Sequence, residues 1–200
     1  MFKNIVYLLV FSILIFSCKE NVVIDNAIDE SIIVNIDKNV YELASNSFKE
    51  IEINKGNHKI VSHTKNGDTL LNTIINIEST GIINSSNISY VLWTDIYCEE
   101  EDYDIYKTHL DLKDTVIIDG LEFIDIDFKL CDEVFIPKIW DLGLDMPMPD
   151  TVDVFEDENY KILSKIYRPQ EIIEYFDYVG DIDFDNLSEE EINSILESMK

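Results

Sequence analysis

The chain has 200 residues, 41 acidic against 15 basic, and a formal charge of −26. So anionic a sequence, with Arg168 its only arginine, excludes a nucleic acid partner, because phosphate binding needs a basic face. A hydrophobic share of 46% with 22 aromatic residues excludes a disordered acidic tail, and four prolines with six glycines exclude a Pro- or Gly-rich linker.

Residues 1–18 begin with one positive charge, Lys3, followed by the apolar run Ile5 to Phe16 and then Ser17-Cys18. The run falls short of the roughly 20 residues of a membrane span and has the length of a signal-peptide core. The tetrad Ile15-Phe16-Ser17-Cys18 resembles a bacterial lipobox. That resemblance implies a signal peptide over 1–17 and a lipoprotein whose Cys18 sulfur carries diacylglycerol, with a further chain such as palmitate on the freed amine. Each buried CH₂ contributes about 0.8 kcal/mol, so two or three chains hold a protein at a membrane. The implied location is a bacterial cell envelope, the outer membrane in particular, with its periplasmic and surface sides both open. Phe16 ahead of Ser17, and Lys19-Glu20 after the cysteine, are similar to lipoproteins of the Bacteroidetes.

Residues 18–30 read as a tether, and 31–97 as β structure. Ile32, Val34 and Ile36 alternate with other residues, and Phe48, Ile51 and Ile53 precede a turn at Asn54-Lys55-Gly56-Asn57. A second turn, Lys65-Asn66-Gly67-Asp68, separates residues 58–63 from 69–77, and a further strand is expected over 90–97. Such turns, recurring about every ten residues between β-branched runs, predict hairpins in a β-sandwich-like module. The stretch from Ile51 to Ile60 resembles the strand–turn–strand of PEGA-type and other small bacterial surface β-sandwiches. The resemblance implies a scaffold or adhesive spacer.

Charge then shifts, from a net −5 over residues 20–90 to −23 over 91–200. Residues 98–200 form an acidic α+β region, either a second domain or the acidic face of one fold. A hairpin is expected around Asp119-Gly120, with Leu121 and Phe123 competing against Ile124 and Ile126 for the buried face. Residues 141–152, with Pro147 and Pro149, read as an irregular loop. A helix starts at Pro169, buries Ile172, Ile173 and Phe176, and stops at Gly180. A last helix has Ser188 and Glu191 as a capping box, Leu187 stapled on Ile192, and an apolar stripe through Ile195, Leu196 and Met199. The fold class is mainly β with C-terminal helices, α+β overall.

Asp181, Asp183 and Asp185 alternate ahead of Asn186 and Glu191 in a pattern similar to an EF-hand calcium loop. That loop wants Gly at its sixth position and Glu at its twelfth, where this chain has Asn186 and Ile192, with Glu191 one place early. The segment reads as a calcium site or as an acidic loop complementing the next helix dipole. The run Cys98-Glu99-Glu100-Glu101-Asp102, with Asp104, reads as a solvated face or a divalent-cation trap. Cys98 and Cys131 are the thiols left once Cys18 is acylated. In an oxidising envelope they either form a disulfide, worth about 3–4 kcal/mol for such a loop, or stay buried thiols. Acidic surroundings should raise their pKa values and argue against a nucleophile. His58 and His63 stand five apart, on opposite faces of a strand, and with His109 make no ligand set.

The signatures of nucleotide-binding, hydrolase and zinc-protease sites are missing from the sequence. Asp68-Thr69-Leu70, Asp114-Thr115-Val116 and Asp150-Thr151-Val152 resemble the O-glycosylation sites of exported Bacteroidetes proteins. The expected function is a non-enzymatic, membrane-anchored envelope lipoprotein, without cofactor, that binds or scaffolds a protein or glycan partner. Two alternatives are an acidic immunity or inhibitor lipoprotein masking a basic toxin, and a calcium-dependent surface module.

Overall fold

A computed structural model describes residues 19–112, 115–118, 120–124, 126–154 and 159–180, with side chains as far as 175 in the last stretch. The strands in chain order are β1 (Lys19–Asn26), β2 (Ile32–Ile36), β3 (Asn39–Leu43), β4 (Ser47–Asn54), β5 (Gly56–Thr64), β6 (Thr69–Ile77) and β7 (Gly81–Asn84). They continue as β8 (Tyr90–Cys98), β9 (Val116–Ile118), β10 (Leu121–Phe123), β11 (Phe128–Cys131), β12 (Phe135–Pro137) and β13 (Tyr160–Tyr167). The helices are a short α1 (Tyr103–Tyr106), flanked by 3-10 turns, and α2 (Pro169–Gly180). The molecule is thus mainly β with a small helical part, as the sequence predicts.

Backbone proximity divides the described residues into two units, the first running to Ser89 and taking in Cys131–Ile139, the second holding the rest. The first has two four-stranded sheets, in the orders β12-β7-β1-β4 and β3-β2-β5-β6. One core joins them. Val22 and Ile24 of β1, Ile53 of β4 and Ile83 of β7 meet Ile32, Val34 and Ile36 of β2, Ile60 of β5 and Ile77 of β6. The alternation seen in β2 arises because every second side chain enters that core.

Three expectations need correction here. Residues 19–26 are no tether, since they form β1, antiparallel to β4 and parallel to β7, with Val22 and Ile24 buried. The bend near Lys55 makes no hairpin: β4 pairs with β1 while β5 pairs with β2 and β6, so the chain passes there from one sheet to the other. The strand over 90–98, expected to close the first module, belongs to the second unit. The turn at 65–68 does join an antiparallel pair, β5 and β6, with Gly67 at φ 96°, where a side chain would be strained.

Polar side chains enter the first unit's interior, each with partners. The Asn26 amide donates to the carbonyls of Glu30 (2.8 Å) and Ala44 (2.6 Å), and its oxygen accepts from the Ile28 N–H (3.3 Å) and Ser86 Oγ (3.1 Å). Asn84 clasps the loop after β7 in the same way, through the carbonyl (2.6 Å) and N–H (3.2 Å) of Ile88. His58 points inward and His63 sits on the other face of β5. The His58 ring lies between the Asp37 carboxylate (2.7 Å) and the Asn54 carbonyl (2.7 Å).

The second unit contains the three-stranded sheet β11-β8-β13 and the hairpin β9–β10. Val91, Phe128, Tyr167 and Ile172 form its core with Ile118 and Phe123. In the hairpin, which turns at Gly120 (φ 86°), Phe123 takes the buried place while Leu121 and Ile124 are exposed. α2 starts where the sequence places it: Glu171 accepts from the Arg168 N–H (2.9 Å) and from its guanidinium (3.1 Å), and Ile172 is fully buried. The last helix and the acidic loop before it lie outside the described residues.

Candidate functional site

Strand alternation places Trp93, Asp95 and Tyr97 on one face of β8. β13 runs antiparallel beside it, with Lys165 directly opposite Trp93 and Tyr167 opposite Val91. Above this face lies a cavity of about 630 Å³, walled by these side chains, by Tyr175 of α2 and by the loop from Pro147 to Asp150. The loop is fixed at both ends. Asp141 accepts from the Ser164 N–H (2.8 Å) and Oγ (2.9 Å) on β13, and the Tyr97 hydroxyl donates to the Pro149 carbonyl (2.7 Å).

Aromatic rings make the walls. Trp93 lies 5.9 Å from Tyr167 and 5.6 Å from Tyr175 between ring centres, and its other side meets Phe128 edge-on at 5.9 Å. This packing leaves the rings little rotational freedom.

The charged groups are unusual. Lys165 is only 7% exposed, and its ammonium stands 3.9 Å above the Tyr167 ring. Among the described residues it makes neither an ion pair nor a hydrogen bond. Burial pushes its pKa down, against the opposing pull of Glu171 and Asp145. Glu171 is itself engaged by Arg168. Asp95 accepts one local hydrogen bond, from the Ile96 N–H (2.8 Å), and burial pushes its pKa up. Burial, with Asp95, Asp150 and Tyr175 nearby, lifts the Tyr97 phenol to about 12; burial also raises Tyr167, with Tyr175 and Glu171 nearby, and Tyr175, with Asp95 and Asp150 nearby, so all three phenols stay neutral. The site therefore offers aromatic faces, one ammonium, two carboxylates and neutral hydroxyls. Those are the kinds of group that small-molecule sites are built from.

Of the residues singled out in the sequence, Cys18, Asp181, Asp183, Asp185 and Glu191 lie outside the described residues. Cys98, partly exposed, and Cys131, buried, are both thiols. Partial burial and the carboxylates of Asp102, Glu99 and Asp95 push the Cys98 pKa up, as the acidic sequence suggests. The acidic run after Cys98 is a solvated face: Glu99, Glu100 and Glu101 are exposed and Asp104 pairs with Lys107 at 2.5 Å. Among the described residues no group of three or more His, Cys, Asp or Glu side chains is placed to hold a metal ion. Of the Asp-Thr segments, the one at 150–152 puts Asp150 in the cavity wall.

The cavity is built almost wholly by tertiary contacts. Its one sequence signal is the alternation Trp93-x-Asp95-x-Tyr97, and Lys165, Tyr167 and Tyr175 join it only through folding. Among the described residues no helix is long and apolar enough to cross a membrane. Compared with the models of known protein families, with curated proteins and with solved structures, the chain matches none.

Proposed function

We propose that this chain is a membrane-anchored lipoprotein of the bacterial cell envelope, fixed through Cys18, whose body is a non-enzymatic binding module. The anchor reading rests on the signal-like run and the Ile15-Phe16-Ser17-Cys18 tetrad. The binding reading rests on one observation, the aromatic cavity with its buried, unpaired Lys165. A lysine side chain so largely buried, held by a ring face and not by an ion pair, is uncommon unless its charge has a role there. The first unit, with its polar groups closed on one another, serves as the scaffold.

Two measurements test the two halves of this reading. Labelled palmitate should enter the wild-type chain and not Cys18→Ser, which should accumulate as precursor; labelling of that variant would remove the anchor. A thermal-shift screen of envelope-derived small molecules should yield ligands that raise the melting temperature of wild type but not of Tyr175→Ala. Ligands equally effective on both would place binding elsewhere.

A further inference from the structure

We infer that the cavity of the second unit receives a small zwitterion, one molecule carrying both an ammonium and a carboxylate, with the carboxylate at Lys165 and the ammonium among Asp95, Asp150 and the aromatic walls. This inference rests on the binding reading above and names its ligand class.

The argument starts from two opposite charges that share one cavity and do not pair. Asp95 lies opposite Leu163, so Lys165 is its diagonal neighbour across the β8–β13 ladder. Diagonal positions stand about 7–8 Å apart, within reach of a lysine. Lys165 instead turns onto the Tyr167 ring, and among the described residues the Asp95 carboxylate accepts only from the neighbouring Ile96 N–H. Each is partly desolvated without an ionic partner, which is unfavourable unless something else compensates it.

The chemistry of the occupant follows by elimination. A simple cation would answer Asp95 and Asp150 and leave Lys165 alone. A simple anion would do the reverse. A neutral sugar could stack on the rings and hydrogen-bond to the charges, but would neutralise neither. A zwitterion answers both charges at once, and its ammonium gains further from the faces of Trp93, Tyr97 and Tyr175, since aromatic π-systems attract cations. A volume of about 630 Å³ lies inside the range of small-molecule sites, about 300–1,000 Å³.

Calorimetry on the detergent-solubilised full chain tests this. Glycine betaine and L-leucine serve as zwitterionic probes, choline as cation alone, propionate as anion alone and maltose as neutral sugar. At least one zwitterion should bind ten times or more tighter than choline and propionate. Lys165→Met and Asp95→Asn should each weaken it at least tenfold, with unchanged melting cooperativity showing that the variants are folded. Should Lys165→Met fail to fold, Asp95→Asn together with the choline and propionate comparison decides. Binding of maltose, lost in Tyr175→Ala, with neither zwitterion binding, would overturn the zwitterion and leave the cavity standing as a site. Heat from none of the five probes would overturn the zwitterion too. The binding reading itself falls only if the wider screen also finds nothing that depends on Tyr175.

Discussion

Asn26 in the first unit and Lys165 in the second are both buried, yet among the described residues the Asn26 side chain makes four hydrogen bonds while the Lys165 side chain makes none. The carboxylates differ in the same sense. Asp37, though exposed, is held by buried His58 and by the Lys59 N–H, which lower its pKa, whereas burial raises that of Asp95. Buried polarity that is fully answered builds structure, and buried polarity left open is available to a ligand. The contrast supports the proposed division of scaffold in one unit and recognition in the other.

The hardest blow to this contrast would come from Asn26→Ala. It strips partners from two carbonyls, an N–H and a hydroxyl, so a loss of about 3 kcal/mol or more is expected in denaturant unfolding. A loss below 1 kcal/mol would mean the network holds little. Next is Gly81→Ala, whose new methyl would sit 2.4 Å from the Ile136 carbonyl oxygen and 2.8 Å from the Phe135 ring. β7 and β12 would have to part, at about 2–3 kcal/mol by the same measurement.

Lys165→Met should act in the opposite direction, raising stability by about 1 kcal/mol while weakening ligand binding, because it removes an unpaired charge from an apolar wall. Clear destabilisation would show that the lysine is structural.

Acid titration sharpens the comparison further. Because the folded pKa of Asp37 lies below the ordinary 3.8, its contribution is complete above about pH 5 and is lost as pH falls through the lowered value. Asn tolerates the φ of 53° at this position, so Asp37→Asn should flatten that acid-side loss. For Asp95 the sign reverses: its raised pKa makes the carboxylate destabilising at neutral pH, and acidification through that value relieves it. Asp95→Asn should therefore raise the melting temperature at pH 7 and leave it little changed at pH 3. The smallest effect belongs to Ile74, exposed on the outer face of β6; Ile74→Thr should shift stability by no more than about 0.5 kcal/mol.

The sequence shows best what is local. Alternation in β2, the Asn-Gly turn at 66–67, and Pro169 opening α2 each depend on a few neighbouring residues, and each forms as read. β1 is hard to read because its partners lie 21 to 35 and 59 residues away and its polar end, Asp25-Asn26, looks the same whether wetted or clasped. The bend at Lys55 misled for a related reason, since a turn motif does not say which sheet the next strand will join. The cavity was harder still. It gathers side chains from residues 93 to 175, and no window along the chain contains them together.

β1 begins at Lys19, directly after the cysteine proposed to carry the lipid, and Lys19 is already in register with Asn54. An acyl anchor there would be bolted to a sheet without slack. The rim nearest the headgroups would carry the ion pairs Lys19–Glu52 and Lys55–Glu20, both at 2.9 Å, a charge-balanced foot under an anionic protein. With β1 spanning about 26 Å, the scaffold would stand close on the bilayer and could not sweep the surrounding space. Whatever it meets would have to come to the membrane surface.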